Sequence, residues 1–388
     1  MTLTAEQRAV QTLARDFAEG EIRPYAAAWD EARALDPAIF TKLAEVGFLG
    51  MSVPEDYGGL DLDPVTYLLV LEELARADAA VALSVAVHNG LVASLLARHG
   101  SDAQKRALLP ALAAGERLGA FALSEPDAGS DAGAVATAAV QDGSGWRLSG
   151  TKRWVTNGER AGLAVVLART GEKRMGAFLV ELPAAGWTVT GRERTMGLRA
   201  SETVSVALDG VAVPTERVLG APDAGLRLAM EALDVGRAGV AAQAVGIARA
   251  AHEHALAYAV QREQFGQPIA CFGAVEEKLA EMARRVAAAR LMTHAAGERL
   301  TGFRAGEPLG RGPDSATAWS AMAKLTASEA AMWVTDEAVQ VFGGYGYMRD
   351  YPVEKLMRDA KGTEIYEGTS EILRVVIARE LLRKHPTT

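Results

Sequence analysis

The stretch Ile365-Tyr366-Glu367-Gly368-Thr369-Ser370-Glu371-Ile372 decides how the rest of the chain is read. A lone carboxylate, Glu367, precedes a glycine that lets the backbone approach another group closely, and Thr369 and Ser370 follow as helix-capping residues. That order suits a positioned base. It equally suits a surface acid drawn to the positive end of a helix, so residues elsewhere must decide. From about Glu371 to Arg383, Ile372, Leu373, Val376, Ile377, Leu381 and Leu382 recur at helical spacing, which puts Glu367 on the connection into a final helix.

Working outward, the chain from Asp223 onward is helical throughout, in long Ala-, Leu-, Met- and Arg-rich segments broken near Gly266-Gln267-Pro268, Gly306 to Pro313 and Gly343-Gly344-Tyr345-Gly346. Four or five helices in a bundle account for residues 223–388. Before them, residues 119–222 change period. Gly162 to Arg169, Gly176 to Glu181 and Thr203 to Val213 are short, rich in Val, Leu and Ala, and separated by turn signals such as Asp142-Gly143-Ser144-Gly145 and Asp209-Gly210. A small antiparallel β domain is expected. Residues 1–118 are helical again, with start signals at Thr4 and Gln7, Asp36-Pro37, Asp63-Pro64, and Ser101 and Gln104. Val53-Pro54-Glu55-Asp56-Tyr57-Gly58-Gly59 marks an ordered loop.

Composition narrows the function classes. With 388 residues, 49% hydrophobic and 23% charged, the chain can bury a large core in two or three domains. Its net charge of -8 argues against nucleic acid as a main partner. Cys271 is the only cysteine, which excludes an intrachain disulfide and fits a reducing cytoplasm. The first residues show no secretory pattern. The most apolar run, Ala79 to Leu96, is interrupted by His88, Asn89 and Gly90, so no membrane span is expected. His252 and His254 face different sides of a helix and make no metal pair, and Ser149-Gly150-Thr151-Lys152 is a chance Ser-x-x-Lys string in a turn-rich region.

Five separated motifs then give a resemblance. They are Ala122-Leu123-Ser124-Glu125-Pro126-Asp127-Ala128-Gly129-Ser130-Asp131, Lys152-Arg153-Trp154-Val155-Thr156-Asn157-Gly158, Arg262-Glu263-Gln264-Phe265-Gly266-Gln267-Pro268-Ile269, Gln340-Val341-Phe342-Gly343-Gly344-Tyr345-Gly346, and the stretch around Glu367. In this order and over nearly the whole chain, the sequence resembles the acyl-CoA dehydrogenase family. The resemblance implies an N-terminal helical domain, a middle β-barrel and a C-terminal four-helix bundle, assembled as a homotetramer, a dimer of dimers, with one FAD per subunit. It implies removal of the α proton of an acyl-CoA by Glu367, hydride transfer to the flavin, and an electron-transfer flavoprotein as acceptor.

Each motif also has a physical reading. Trp154 and Thr156, two apart on an extended segment, share a face, where an indole can wall a flavin and a hydroxyl can bond its edge. Without a ligand the same tryptophan is a core residue. Ser124, Gly129 and Ser130 lie in a loop able to bond a flavin or a pantetheine, or simply to form a capped turn. No Gly-x-Gly-x-x-Gly follows a strand, so the FAD pyrophosphate needs another holder. Arg262 can supply bidentate contacts, with Phe265 and Gly266 shaping the turn, or it can be a solvated surface group. By resemblance, Phe121, Leu123, Thr369 and Glu371 join the FAD contacts, and Arg262, Phe265, Gln340, Gly343 and Gly344 reach the FAD of a neighbouring subunit. Asp234 and Arg237 are neighbours on one helix face and can pair with each other or with the substrate. The resemblance favours the substrate, together with Ser130 and Gly368. Some relatives carry the acid immediately before the matching arginine, where this chain has Gly236, which leaves Glu367 as the base. Burial is expected to outweigh the helix end and raise its pKa. The substrate is expected to be short to medium in chain length, or branched, bounded by helices between about Asp63 and Leu96. An oxidase-like flavoenzyme and a non-catalytic flavin-binding subunit are the alternatives.

Overall fold

The computed structural model describes residues 2–304 and 307–383. Gly306 and the residues after Arg383, both assigned above to the C-terminal bundle, lie outside the described residues.

The first helices start where short polar side chains can cap them. They are α1 (Ala5–Glu21), α2 (Ala26–Ala32), α3 (Ala38–Glu45), α4 (Pro64–Ala77), α5 (Ala79–Ala86), α6 (Ser94–His99) and α7 (Asp102–Ala113). Thr4 with Gln7 and Ser101 with Gln104 form reciprocal capping boxes, and Asp63 accepts from Val65 and Thr66 N–H. Asp36 Oδ1 accepts from Ala38 N–H and caps α3 from one residue further out. Between α5 and α6 the helix continues as a π-helical turn, Val87–Ala93. His88 and Asn89 do not interrupt it. The His88 ring pairs with Leu49 O and Gly119 N–H, and Asn89 bonds Phe48 O, Val85 O and Ser52 N–H, so their polar atoms are satisfied inside the fold. The run Ala79–His99, taken above as interrupted, is therefore continuous and by length and composition alone apolar enough to cross a membrane, while 94% of its most apolar window is buried inside this fold.

The middle region holds β1 (Leu118–Ala122), β2 (Ala138–Asp142), β3 (Gly145–Thr156), β4 (Ala161–Gly171), β5 (Arg174–Glu181), β6 (Trp187–Arg192) and β7 (Thr203–Pro214). They make one seven-stranded sheet around a core of its own that includes Leu148, Val166, Phe178 and Val206. The sheet is mixed and not purely antiparallel, because β1 and β2 both run parallel to β4. Among the described residues its ladder runs from β5 through β4, β2, β3 and β7 to β6 without a closing pair.

The last region starts with α8 (Gly225–Gln261), followed by a hairpin of β8 (Glu263–Gln264) and β9 (Gln267–Pro268), then α9 (Gly273–Arg304), α10 (Ala316–Phe342), α11 (Pro352–Thr363) and α12 (Ser370–Leu382). Alanine and glycine let α8 pack closely on α4, α9 and α10. Two buried carboxylates on α4 clamp this junction. Glu72 bonds Arg249 and Arg290, and Glu73 bonds Arg15 and Arg249. Each charge removed from water is thus paired, as a buried charge requires. On the other side, Asp359 of α11 accepts from Leu198 N–H of the sheet domain and from Lys355, which also bonds Asp78. The connection from α11 to α12, which carries Glu367, is held by both neighbours.

Candidate active site

Glu367 has φ 54 and Gly368 φ 103, so the chain turns sharply through two left-handed residues before α12. For a non-glycine residue that conformation costs about 1–2 kcal/mol and persists only where surrounding bonds enforce it. Those bonds come from two buried cations. Arg237 Nε donates to Glu367 O at 3.3 Å, and Lys324 Nζ donates to Gly368 O at 2.7 Å. Thr369 then caps α12 by accepting from Ile372 N–H. Ser370, read as a second cap, has its hydroxyl buried with no hydrogen-bond partner instead. Glu371 is exposed in the first turn, where its own backbone N–H and the Thr369 hydroxyl hold its carboxyl below the usual range.

The Glu367 carboxylate points inward. Its Oε2 is buried and has no hydrogen-bond partner. Burial pushes its pKa up to about 7, against the opposing charges of Arg237 and Lys324. This is the direction expected from burial. Gly236 explains how the carboxylate fits, since a Cβ there would lie 2.0 Å from Oε2. Substituting Gly236→Ala is expected to displace the carboxylate and cut the rate of substrate-driven flavin bleaching by at least about tenfold, a misplacement effect. Unchanged bleaching by a folded Gly236→Ala protein would show that the carboxylate does not need this position.

Asp234 and Arg237 are both buried and paired with each other, Arg237 Nη1 to Asp234 Oδ1 at 2.6 Å, while Thr317 Oγ1 donates to Asp234 Oδ2 at 2.6 Å. Their strongest polar contacts are internal. Arg237 also bonds the turn that carries Glu367, and these internal bonds stand beside the substrate contact that the resemblance favours. Lys324 was missed altogether. Its signal was a single charge in an uncharged run, Ser320-Ala321-Met322-Ala323-Lys324, on a helix where Ser320, Ala321 and Ala323 are buried and Met322 and Leu325 half-buried.

The proposed flavin wall rests on a second buried pair. Lys152 Nζ donates to Glu125 Oε1 at 2.7 Å and to Leu123 O at 2.9 Å, and Glu125 also accepts from Ala136 and Thr137 N–H. Arg153 N–H donates to Ser124 O at 2.9 Å. Together these tie the end of β1, with Phe121, and the loop after it, with Leu123 and Ser124, to the end of β3. The ladder shifts register between Lys152 and Val155, and Trp154 has φ 56. The bulge turns Lys152 and Val155 inward and Trp154 outward, and Thr156 follows beyond the buried Val155, half-buried. Trp154 is 50% exposed and not a core residue. Gly129 and Ser130 are exposed beyond a tight turn joining Glu125 and Ala128. A half-exposed indole held in a strained conformation by a fully bonded support fits a flat ring laid against it.

The remaining flavin residues lie elsewhere. From Arg237 to Arg262, α8 rises about 37 Å. Arg262 ends that helix with its guanidinium 5.5 Å from the ring centre of Tyr345, on the turn that carries Gly343 and Gly344 just after Gln340. Phe265, at φ 52 beside Gly266 at φ 79, tips the two-residue hairpin and is 94% exposed. One chain thus carries two separate sets. Phe121, Leu123, Ser124, Trp154 and Thr156 lie on the sheet domain, and Arg262, Phe265, Gln340, Gly343 and Gly344 lie at the far end of the bundle.

A buried carboxylate oxygen without a partner, set between a helical domain and a helical bundle and accompanied by a half-exposed indole on a sheet, fits an oxidoreductase acting on carbon acids. Comparison with known proteins identifies which one. Models of the acyl-CoA dehydrogenase N-terminal, middle and C-terminal domains match residues 4–116, 120–211 and 223–382. The chain is 43% identical over 387 residues to an acyl-CoA dehydrogenase of Bacillus subtilis, covering 98% of this chain and 99% of that one. It superposes on butyryl-CoA dehydrogenase from Megasphaera elsdenii with a TM-score of 0.94 and 39% identity, covering 99% of this chain and 100% of that one. An acyl-CoA dehydrogenase complexed with FAD from Bacillus anthracis gives a TM-score of 0.92 at 32% identity, over 98% of this chain and 68% of that one. The chain belongs to the acyl-CoA dehydrogenase family, and its cofactor is FAD.

Proposed function

We propose that the chain converts a short saturated acyl-CoA to the trans-2-enoyl-CoA, with Glu367 as the base that takes the α proton. The observation that carries this reading is Glu367 Oε2, buried, unbonded and attached to a carboxyl whose pKa is about 7. A base poised near the working pH combines a useful ionised fraction with driving force for proton transfer. Among the described residues the Glu367 N–H donates to no protein acceptor, which leaves it free to bond the thioester oxygen as charge develops there. Arg237 and Lys324 hold the two carbonyls of the turn and so keep that N–H and the carboxylate in fixed relation. Bound FAD supplies the acceptor for the β hydride. Trp154 and Thr156, with Ser124 and the loop after β1, would hold it within the chain. Arg262, Phe265, Gln340, Gly343 and Gly344 would hold the FAD of a neighbouring subunit, which supports assembly as a homotetramer. An electron-transfer flavoprotein as acceptor and a cytoplasmic location complete the proposal.

Anaerobic titration of the purified holoprotein with butyryl-CoA tests it. The visible flavin band is expected to bleach. A flavin that stays oxidised with every saturated acyl-CoA tried would overturn the reading, and rapid oxygen consumption on readmitting air would favour an oxidase over a dehydrogenase.

A further inference from the structure

We propose that Gln243 is a positioning residue for the reaction: by holding the Tyr366 hydroxyl it fixes the tilt of the peptide that leads into Glu367, and with it the aim of the base. The inference rests on the acyl-CoA reading above and deepens it by naming what orients Glu367.

Tyr366 and Glu367 are consecutive, yet their side chains reach the same face of α8 two turns apart. Tyr366 Oη donates to Gln243 Oε1 at 2.6 Å, whereas the Glu367 carboxylate lies against Gly236. Gly236 and Gln243 are seven apart on α8, so they share a face and stand about 10 Å apart along its axis. Two neighbouring side chains anchored that far apart on one helix oppose rotation of the backbone between them. The Tyr366 ring is confined as well, its Cε1 3.0 Å from a Cβ built on Gly362.

The bonds to the turn leave this task to Tyr366. Arg237 and Lys324 hold the carbonyls of Glu367 and Gly368, and so fix the two peptides after the base. The peptide before it, between Tyr366 and Glu367, makes no protein hydrogen bond of its own among the described residues. Its tilt follows from where Tyr366 is held, by its N–H on Gly362 O at 3.2 Å and by its hydroxyl on Gln243. That peptide carries the Glu367 N–H assigned above to the thioester oxygen.

The anchor is oriented and rigid. Gln243 is wholly buried, and its Nε2 donates to Ala79 O at 2.7 Å. A carbonyl can only accept, so the amide nitrogen must face Ala79 and the amide oxygen must face the phenol. Burial and the charge of Glu367 hold the Tyr366 pKa well above its ordinary value, so the hydroxyl keeps the proton it donates. Ala79 opens α5, whose cap Asp78 accepts from Ala80 and Val81 N–H and, at Oδ2, from Lys355 Nζ of α11. The start of α5 therefore holds the α11–α12 connection twice, through Lys355 before the turn and through Gln243 at it.

The test is a double-mutant cycle of Gln243→Met, Tyr366→Phe and the double variant in the holoprotein. Flavin bleaching by saturating butyryl-CoA is followed by stopped flow at about pH 9, where the carboxyl is ionised, and then as a function of pH. Each single change is expected to cut the limiting rate by about tenfold, a small misplacement of the base, with half-saturation by butyryl-CoA unchanged. The double variant is expected to fall no further than the slower single, because both changes break one bond. The loosened carboxyl meets water, so the alkaline-rising limb is expected to move to lower pH. The other groups that act on the carboxyl or feel its charge, Arg237 on α8, Lys324 on α10 and Tyr67 on α4, are left in place by both changes. Tyr366→Phe removes a single oxygen and serves if Gln243→Met does not fold. A Tyr366→Phe protein with the wild-type rate and limb, even one that melts earlier, overturns the positioning role while leaving the acyl-CoA reading intact. Losses that multiply in the double variant overturn it equally. A wild-type flavin that no saturated acyl-CoA bleaches takes down the underlying reading and the positioning role together.

Discussion

Replacing Glu367 by glutamine is expected to leave the fold and flavin intact while slowing acyl-CoA-driven bleaching by about 10²–10⁴-fold or more, the contribution of a positioned general base. Stopped-flow absorbance measures it directly. The wild-type rate is expected to rise with pH through about 7, because only the ionised carboxyl accepts a proton. Stability should move the other way. The carboxyl binds its proton more tightly when folded than its ordinary value of 4.5, so the folded state loses stability as pH rises from about 4.5 to 7 and bears the full cost above that. At pH 8 the glutamine variant is therefore expected to be more stable than the wild type by about 1–3 kcal/mol, with the difference vanishing towards pH 4.5. A bleaching rate unchanged by Glu367→Gln would remove the residue from the mechanism. A stability difference independent of pH would mean that folding does not raise its pKa.

Replacing Lys324 by methionine is expected to be the next most damaging change. The ammonium does two things at once. It bonds Gly368 O, and its charge draws the Glu367 pKa down against the effect of burial. Methionine fills similar space with neither property. A buried carbonyl left without its donor costs about 1–3 kcal/mol. Loss of the cation also raises the Glu367 pKa further, so the alkaline-rising limb of the pH–rate profile should move to higher pH. The rate at pH 7 then falls with the ionised fraction of the carboxyl, by up to about tenfold for every tenfold weakening of its acidity. A merely structural role would lower stability and leave the limb where it was. Lys324→Arg, which keeps charge and donor, is expected to recover most of the limb position.

These effects divide according to what a linear sequence displays. Caps were legible because their partners lie three residues apart, as in Thr4 with Gln7 and Ser101 with Gln104. The domain order was legible because the hydrophobic period changes twice. Glu367 stood out through a glycine and a cap beside it, and the family motifs made this ambiguous acid the base proposed here. Less visible were pairings made across the fold. Lys152 and Glu125 come from different motifs and meet only when β3 bulges. That same bulge puts Lys152 and Val155, three apart, on the inward side of one strand. Lys324 meets Glu367 from another helix, and nothing in its own neighbourhood names its partner. Gly236 was visible as a glycine, yet only the packed structure tells what occupies the space it leaves.

The π-helical turn at Val87–Ala93 bears on how the packing against α8 can change. One residue added to an α-helix rotates everything beyond it by about 100°. A π turn absorbs such an addition locally, because its wider loop takes the extra residue without breaking the helix. The flanks α5 and α6 then keep their packing, while the residues between them are rephased. Gly90 and Leu91 face α8 within that rephased window. Inserting or deleting one residue there would change which side chains face α8 while the flanking helices keep their packing.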